Sequence, residues 1–232
     1  MLKKETADDR VEKVVRLFSK LKNANLFLDI GCGNGGITCR IKDSINAKHT
    51  YGVDVAKSSL VSARERGIQP IMIDIDSCDL PFRDGSFEAI YCGEVIEHLR
   101  DTDHLLGEVH RVLAQDGICV LDTPNLASWH GRIELLLGYQ PSYTLVSTMH
   151  NVGKLVSGID WEPQSEKPHH WVFTFRALSE LVSVHGYEIT KAVGAADFNI
   201  RYPLSIVDRL CARSPRLGTY IVVMLAKKSP QE

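Results

Sequence analysis

Apolar residues recur at helical spacing near the start of the chain. Val11, Val14, Val15, Phe18 and Leu21 predict an amphipathic helix over residues 8–22. Short apolar runs then alternate with helical stretches. Leu26-Phe27-Leu28-Asp29-Ile30 predicts a first buried strand ending in glycines, with a helix opening near Ile37. Tyr51–Val55 predicts a second strand, Pro70–Ile75 a third and Phe87–Cys92 a fourth, with a helix over Ser58–Arg66 after the second. Asp101–Leu113 carries Leu105, Leu106, Val109, Val112 and Leu113 on one helical face, and Gly117–Asp122 predicts strand five. A helix over Arg176–His185 closed by Gly186, strand six at Tyr187–Val193 and strand seven at Thr219–Ala226 complete the pattern. Such alternation predicts an α/β fold, a doubly wound, seven-stranded and mostly parallel sheet with helices on both faces.

The rhythm breaks between residues 124 and 172. That stretch holds Pro141, Pro163 and Pro168 and several aromatic and His residues, with one helical segment at Ser128–Leu137. A structureless loop of this length is rare in a compact domain unless it is functional. It is expected to be an insertion within a single domain spanning residues 1–232, forming a lid or substrate wall. Trp129, Tyr139, Tyr143 and Trp161 are its candidate wall residues, with core packing as the plainer role.

Composition narrows the class. Lys and Arg total 27 against 29 Asp and Glu, a net charge of −2, which lacks the basic footprint of a dedicated nucleic-acid binder. The six cysteines form no CxxC pair, and the opening residues Met1–Glu5 lack the apolar stretch of a signal peptide, so a cytoplasmic location with reduced thiols is expected. Leu135-Leu136-Leu137 is too short to span a membrane but can form an apolar patch, and no transmembrane segment is expected.

Gly31-Cys32-Gly33-Asn34-Gly35-Gly36 sits between a predicted strand and a predicted helix. Glycines allow a sharp turn and close approach of a ligand, and the helix start offers unpaired N–H groups. Gly31, Gly33 and Gly36 satisfy GxGxxG, which alone fits an NAD-dependent oxidoreductase, and Asp54 ends the second strand where a carboxylate can bind ribose hydroxyls. A ligand-free tight turn is the third reading of the same residues.

The surrounding motifs separate these readings. The run from Leu26 to Val120 resembles the class I S-adenosylmethionine-dependent methyltransferases. Asp29 followed by Gly31, Gly33 and Gly35 is similar to their first motif. The resemblance implies that these residues surround the amino-acid half of S-adenosyl-L-methionine and that Asp54 takes the ribose. It further implies that Asp76, with Ser77 beside it, faces the adenine, and that Glu94 adds to the cofactor site. Leu80-Pro81-Phe82 and Asp84–Glu88 are also typical of that family, and an NAD enzyme has no reason to carry the third acid Asp76 and the Leu-Pro-Phe turn. Asp29 has a plainer alternative role, orienting the loop backbone.

After the fourth strand, Gly93-Glu94-Val95-Ile96-Glu97-His98-Leu99 places two acids and a His at the strand end where α/β proteins hold ligands. Spacings of three and four allow Glu94, Glu97 and His98 to share one helical face. They can form a structural network, or Glu97 or His98 can act as catalytic base. The cluster also resembles that of the ubiquinone-biosynthesis and small-RNA 2′-O-methyltransferases, which implies a divalent metal on Glu94, Glu97, His98 and either His169 or His170, with His170 carried forward. Metal-free catalysis ranks ahead of that reading.

The expected activity is O-methylation of a small-molecule, lipid or glycan acceptor. The 124–172 segment adds a loose resemblance to methyltransferases of cell-surface glycan or lipid synthesis. The alternatives are an RNA 2′-O-methyltransferase with a metal site, an NAD-dependent oxidoreductase, and a non-catalytic cofactor-binding partner subunit.

Overall fold

The computed structural model describes residues 8–147, 149–155 and 168–229. Trp161 lies outside the described residues. Seven strands form one sheet in the order β3-β2-β1-β4-β5-β7-β6. They are β1 (Leu26–Ile30), β2 (His49–Asp54), β3 (Gln69–Met72), β4 (Phe87–Gly93), β5 (Leu113–Pro124), β6 (Tyr187–Ala195) and β7 (Tyr220–Lys227). The first five pair in parallel, and β7 runs antiparallel between β5 and β6.

Helices cover both faces, because parallel strands need long crossovers. α1 (Asp9–Phe18) and α2 (Gly36–Ile45) lie on one face, where Phe18, Ile41 and Ile45 pack on Phe27, Tyr91 and Val222. α3 (Lys57–Glu65) buries Leu60 and Ala63 near Cys32 and Ile68. The other face takes α4 (Thr102–Val112) and α6 (Phe175–Val184), whose Leu105, Val109, Leu178 and Val182 join Leu28, Ile90 and Leu121 in the larger core. Tyr187 is buried there, its hydroxyl donating to the Leu106 carbonyl at 2.8 Å. The α1 start is fixed by Asp8, whose carboxylate accepts the Arg10 N–H.

Two helices follow the C-terminal ends of β5 and β6. α5 (Trp129–Leu136) lies within the stretch predicted as an insertion, capped by the Ser128 hydroxyl. α7 (Leu204–Cys211) falls where the sequence pattern assigned no element. The Trp129 indole N–H donates to Asp208 of α7 at 2.8 Å and joins them. Asp208 also accepts the Thr219 hydroxyl and the Asp197 N–H, at 2.6 and 2.7 Å. Among the described residues, no helix is long and apolar enough to cross a membrane.

Candidate functional site

The C-terminal ends of β1, β2 and β4 open onto two adjoining cavities. One, of about 320 Å³, is largely apolar, walled by Ile30, Val53, Ile73, Ile75, Val95 and Leu99, with Asp54, Asp74, Glu94 and His98 adding polar groups. The other, of about 300 Å³, is polar, lined by Arg10, Asp29, Tyr91, Glu94 and the 31–36 glycine loop. Gly31 and Glu94 belong to both and mark the junction.

The glycine loop is built by backbone constraint. Gly31 has φ +75°, and a Cβ there would run into the Val95 side chain. Gly33 has φ +50°, and a Cβ there would enter open space. Glycine therefore serves close packing at the first position and leaves room for a ligand at the second. Asp54 braces the loop: its Oδ2 accepts the Gly33 N–H and its Oδ1 the Ala56 N–H, both at 2.8 Å. The motif gave no sign of this brace.

Asp29 is buried in the polar cavity wall. Its Oδ2 accepts the Thr38 hydroxyl at 2.5 Å, while Oδ1 has no partner. Loss of hydration pushes its pKa to about 8, against the lowering effect of the Thr38 bond. Oδ2 is thus tied to a side chain of α2 and not to the loop backbone, while Oδ1 stays unpaired.

Arg10, from α1, is the cation of this wall. It donates to Asp122 at 2.7 Å and lies 5.5 Å above the Tyr220 ring. Tyr91 completes the set, its hydroxyl donating to Asp122 at 2.7 Å. The sequence pattern missed Arg10, because α1 precedes the glycine loop and carries no motif.

The β4 end departs from its expected geometry. Glu94 has φ +55°, a left-handed conformation uncommon for a residue with a Cβ. Only Ile96–His98 form a short 3₁₀ turn after it. Glu94 therefore shares no helical face with Glu97 and His98, which corrects the spacing argument. Its Oε1 is buried without a partner, and burial drives its pKa well up, opposed by Arg10.

Glu97 is buried beneath His98. Its Oε2 accepts the Thr123 hydroxyl at 3.0 Å, and Oε1 is unpaired. Desolvation raises its pKa to about 7. Glu97, His98 and His169 bring ligand atoms within 4.8 Å of one another, and the two imidazole rings lie 4.8 Å apart. His169 Nδ1 contacts the Tyr143 carbonyl at 2.9 Å. His170 contributes its backbone instead, donating to the Glu97 carbonyl at 2.7 Å, and its side chain is exposed. Among the described residues, the cluster thus contains His169, and neither His170 nor Glu94 joins it.

Asp76 and Ser77 are absent from both cavity walls, where Asp74 stands in the apolar one. Asp76 Oδ1 accepts the N–H groups of Arg100 and Asp101, at 2.7 and 3.1 Å. Burial would raise its pKa, yet these bonds dominate and lower it. Ser77 is exposed and its hydroxyl bonds the Asp74 carbonyl. Of the wall candidates in the 124–172 stretch, Tyr143 donates to Asp197 at 3.2 Å and lies 5.9 Å from Tyr220, Trp129 holds α7, and Tyr139 is exposed.

Comparison with known proteins agrees with this architecture. Residues 28–121 match the model of a methyltransferase domain. The 2-phytyl-1,4-naphtoquinone methyltransferase of Nostoc punctiforme is 34% identical over 103 residues, covering 41% of this chain and 45% of that protein. The demethylmenaquinone methyltransferase of Thermus thermophilus is 32% identical over 102 residues, 42% and 46% of the two chains. The chain thus spans about half the length of these curated relatives. An S-adenosylmethionine-dependent methyltransferase from Mesorhizobium loti superimposes with a TM-score of 0.61 at 18% identity, covering 92% of this chain and 95% of that one. With the strand order, the glycine loop and its flanking acids, this match makes residues 28–121 a methyltransferase domain of the class I S-adenosylmethionine-dependent kind.

Proposed function

We propose that this chain methylates an oxygen of a small-molecule or lipid acceptor, using S-adenosylmethionine. The residues present fit that cofactor. An apolar cavity beside a polar one suits an adenosine joined to a zwitterionic amino acid, and the open space at Gly33 belongs to the polar one. The unpaired buried oxygens of Asp29 and Glu94 favour cationic groups, with Arg10 beside them for a carboxylate. A dinucleotide's pyrophosphate would hold the raised carboxyls of Asp29 and Glu94 in their protonated form, whereas an ammonium or sulfonium draws them into the charged form. In that light Asp54 and Asp74 edge the adenosine half, and Asp76 with Ser77 supports the wall from behind.

When bound, the cofactor supplies a methyl group activated by its sulfonium. The protein's remaining work is to align the acceptor, exclude water and take a proton. His98 lines the cavity and takes the acceptor's hydroxyl proton at a ring nitrogen. Glu97, buried behind it, stabilises the imidazolium that results, and its pKa of about 7 keeps part of it ionised at neutral pH. The described part of the insertion, with Tyr143, forms the acceptor wall. The observation that carries this reading is the unpaired Glu97 Oε1 beneath a histidine in the cavity wall. The names of the curated relatives favour a quinone-like acceptor. The test is a labelled-methyl assay over phenolic, quinol and glycolipid acceptors, with product analysis separating O- from C-methylation. Glu97→Gln and His98→Asn should each lower kcat about 10²-fold or more while cofactor binding persists. Full turnover in both variants rejects the assignment.

A second reading rests on the Glu97–His98–His169 cluster. One carboxylate and two imidazoles suit Mn²⁺, Fe²⁺ or Zn²⁺ better than Mg²⁺. A metal held there would polarise an acceptor oxygen as a Lewis acid. Calorimetric titration of chelator-treated protein with Mn²⁺ and Zn²⁺ decides between the readings, because a His98 nitrogen bound to a metal no longer takes a proton. Stoichiometric binding lost in His169→Ala supports the metal, and no heat of binding removes it.

A further inference from the structure

Two helices at the cavity end of the sheet are turned inside out. α7 buries only Asp208, while Ile206 and Leu210 point away from it and are 52% and 55% exposed. α5 buries Gly131 and Glu134, while Leu136 is 85% exposed and Leu137 58%. A helix facing water ordinarily does the reverse, with apolar residues inward and charges outward. The hydrogen bond from Trp129 to Asp208 and that from the Trp129 N–H to the Leu217 carbonyl hold these segments together.

The charge around them is one-sided. Segments 129–137 and 198–218 contain Arg132, Arg201, Arg209, Arg213 and Arg216, all exposed. None of the five forms an ion pair among the described residues. The only acids there, Glu134 and Asp208, are buried and hydrogen-bonded within the fold. This positive rim belongs to a chain whose net charge is −2.

We propose that the outward faces of α5 and α7 dock on an anionic lipid surface. Leucine and isoleucine side chains enter the acyl boundary and the arginines meet the headgroups, as in interfacial amphipathic helices. Uniform positive charge around an apolar centre complements a sheet of like anionic headgroups. A protein partner would need an equally uniform acidic face. α5 follows the end of β5 and α7 follows the end of β6, which is also the end holding the cavities. Docking therefore turns the site toward the bilayer.

The experiment is vesicle flotation with the full chain, comparing phosphatidylcholine alone with phosphatidylcholine plus phosphatidylglycerol. Binding should require the anionic lipid and weaken with added salt. Arg209→Ala with Arg213→Ala should weaken it about fivefold per arginine. Ile206→Ser with Leu210→Ser should weaken it tenfold or more. These positions are exposed, and circular dichroism checks the fold; if the serine pair fails to fold, the arginine pair stands as the test. Absence of the chain from floated anionic vesicles overturns the proposal. So does dimerisation that the serine pair abolishes without any vesicle binding, which would make this face a contact between copies. Because flotation needs neither methyl donor nor acceptor, its failure is separate from failure of the catalytic reading.

Discussion

Glu97→Gln should make the protein more stable and less active at once. The Glu97 carboxyl is buried, with Oε2 bonded to Thr123 and Oε1 unpaired, and its pKa rises from 4.5 to about 7. A carboxyl raised on folding holds its proton longer in the native state than in the unfolded chain. Stability from this group is therefore full below about pH 4.5 and declines as pH climbs toward about 7, where the native carboxyl finally ionises. At 1.36 kcal/mol per unit, the decline totals about 3 kcal/mol, an upper figure because Glu94 shares the same burial. Glutamine carries no charge and escapes this loss. Urea unfolding of both proteins at pH 5 and pH 8 measures it. The variant should gain about 2–3 kcal/mol on the wild type between those two values. Parallel pH–stability curves for the two proteins would refute the reasoning, because Glu97 would then ionise alike in native and unfolded states.

Other substitutions probe the rest of the site. Arg10→Met leaves Asp122 buried and uncompensated, so it should destabilise the protein by about 3–5 kcal/mol in thermal or chemical unfolding. Gly31→Ala forces a Cβ into Val95 at a positive φ, and calorimetry with S-adenosylhomocysteine should show at least tenfold weaker binding, with stability down by about 1–3 kcal/mol. Asp54→Ala removes the acceptor for the Gly33 and Ala56 N–H groups; it should weaken the same binding by tenfold or more, a loss that Asp54→Asn only partly restores. Trp129→Phe deletes the bond to Asp208 and should cost about 1.5–3 kcal/mol, read as a lower Tm.

Periodicity made the sheet and most helices legible, because each buried strand is an apolar run and each covering helix shows one apolar face. The pattern reading passed over α7 although Leu204, Val207 and Leu210 recur at helical spacing, and the structure turns that stripe outward instead of into the core. Spacing also misplaced Glu94, since nothing in Gly93-Glu94-Val95 announces a left-handed residue before the 3₁₀ turn. Asp76 looked like a ligand-facing acid, but the chain folds it back onto the Arg100 and Asp101 N–H groups. The adjacent histidines were indistinguishable in sequence. His169 turns to Glu97 and His98, whereas His170 spends its N–H on the Glu97 carbonyl. These are orientations within a turn, fixed by long-range packing that local spacing does not encode.

The backward run of β7 has a wider consequence. By entering between β5 and β6 in reverse, it begins at Tyr220 on the same edge where β5 and β6 end. The segments after β5 and after β6 therefore meet there, while the cofactor-type cavities are walled mainly by segments that follow β1, β2 and β4. The family match stops at Leu121, just before the first of those later segments begins. Under the proposed function, the acceptor wall and the donor cavities therefore rest on separate strand ends of one sheet, so a substitution on either side can alter one without moving the other.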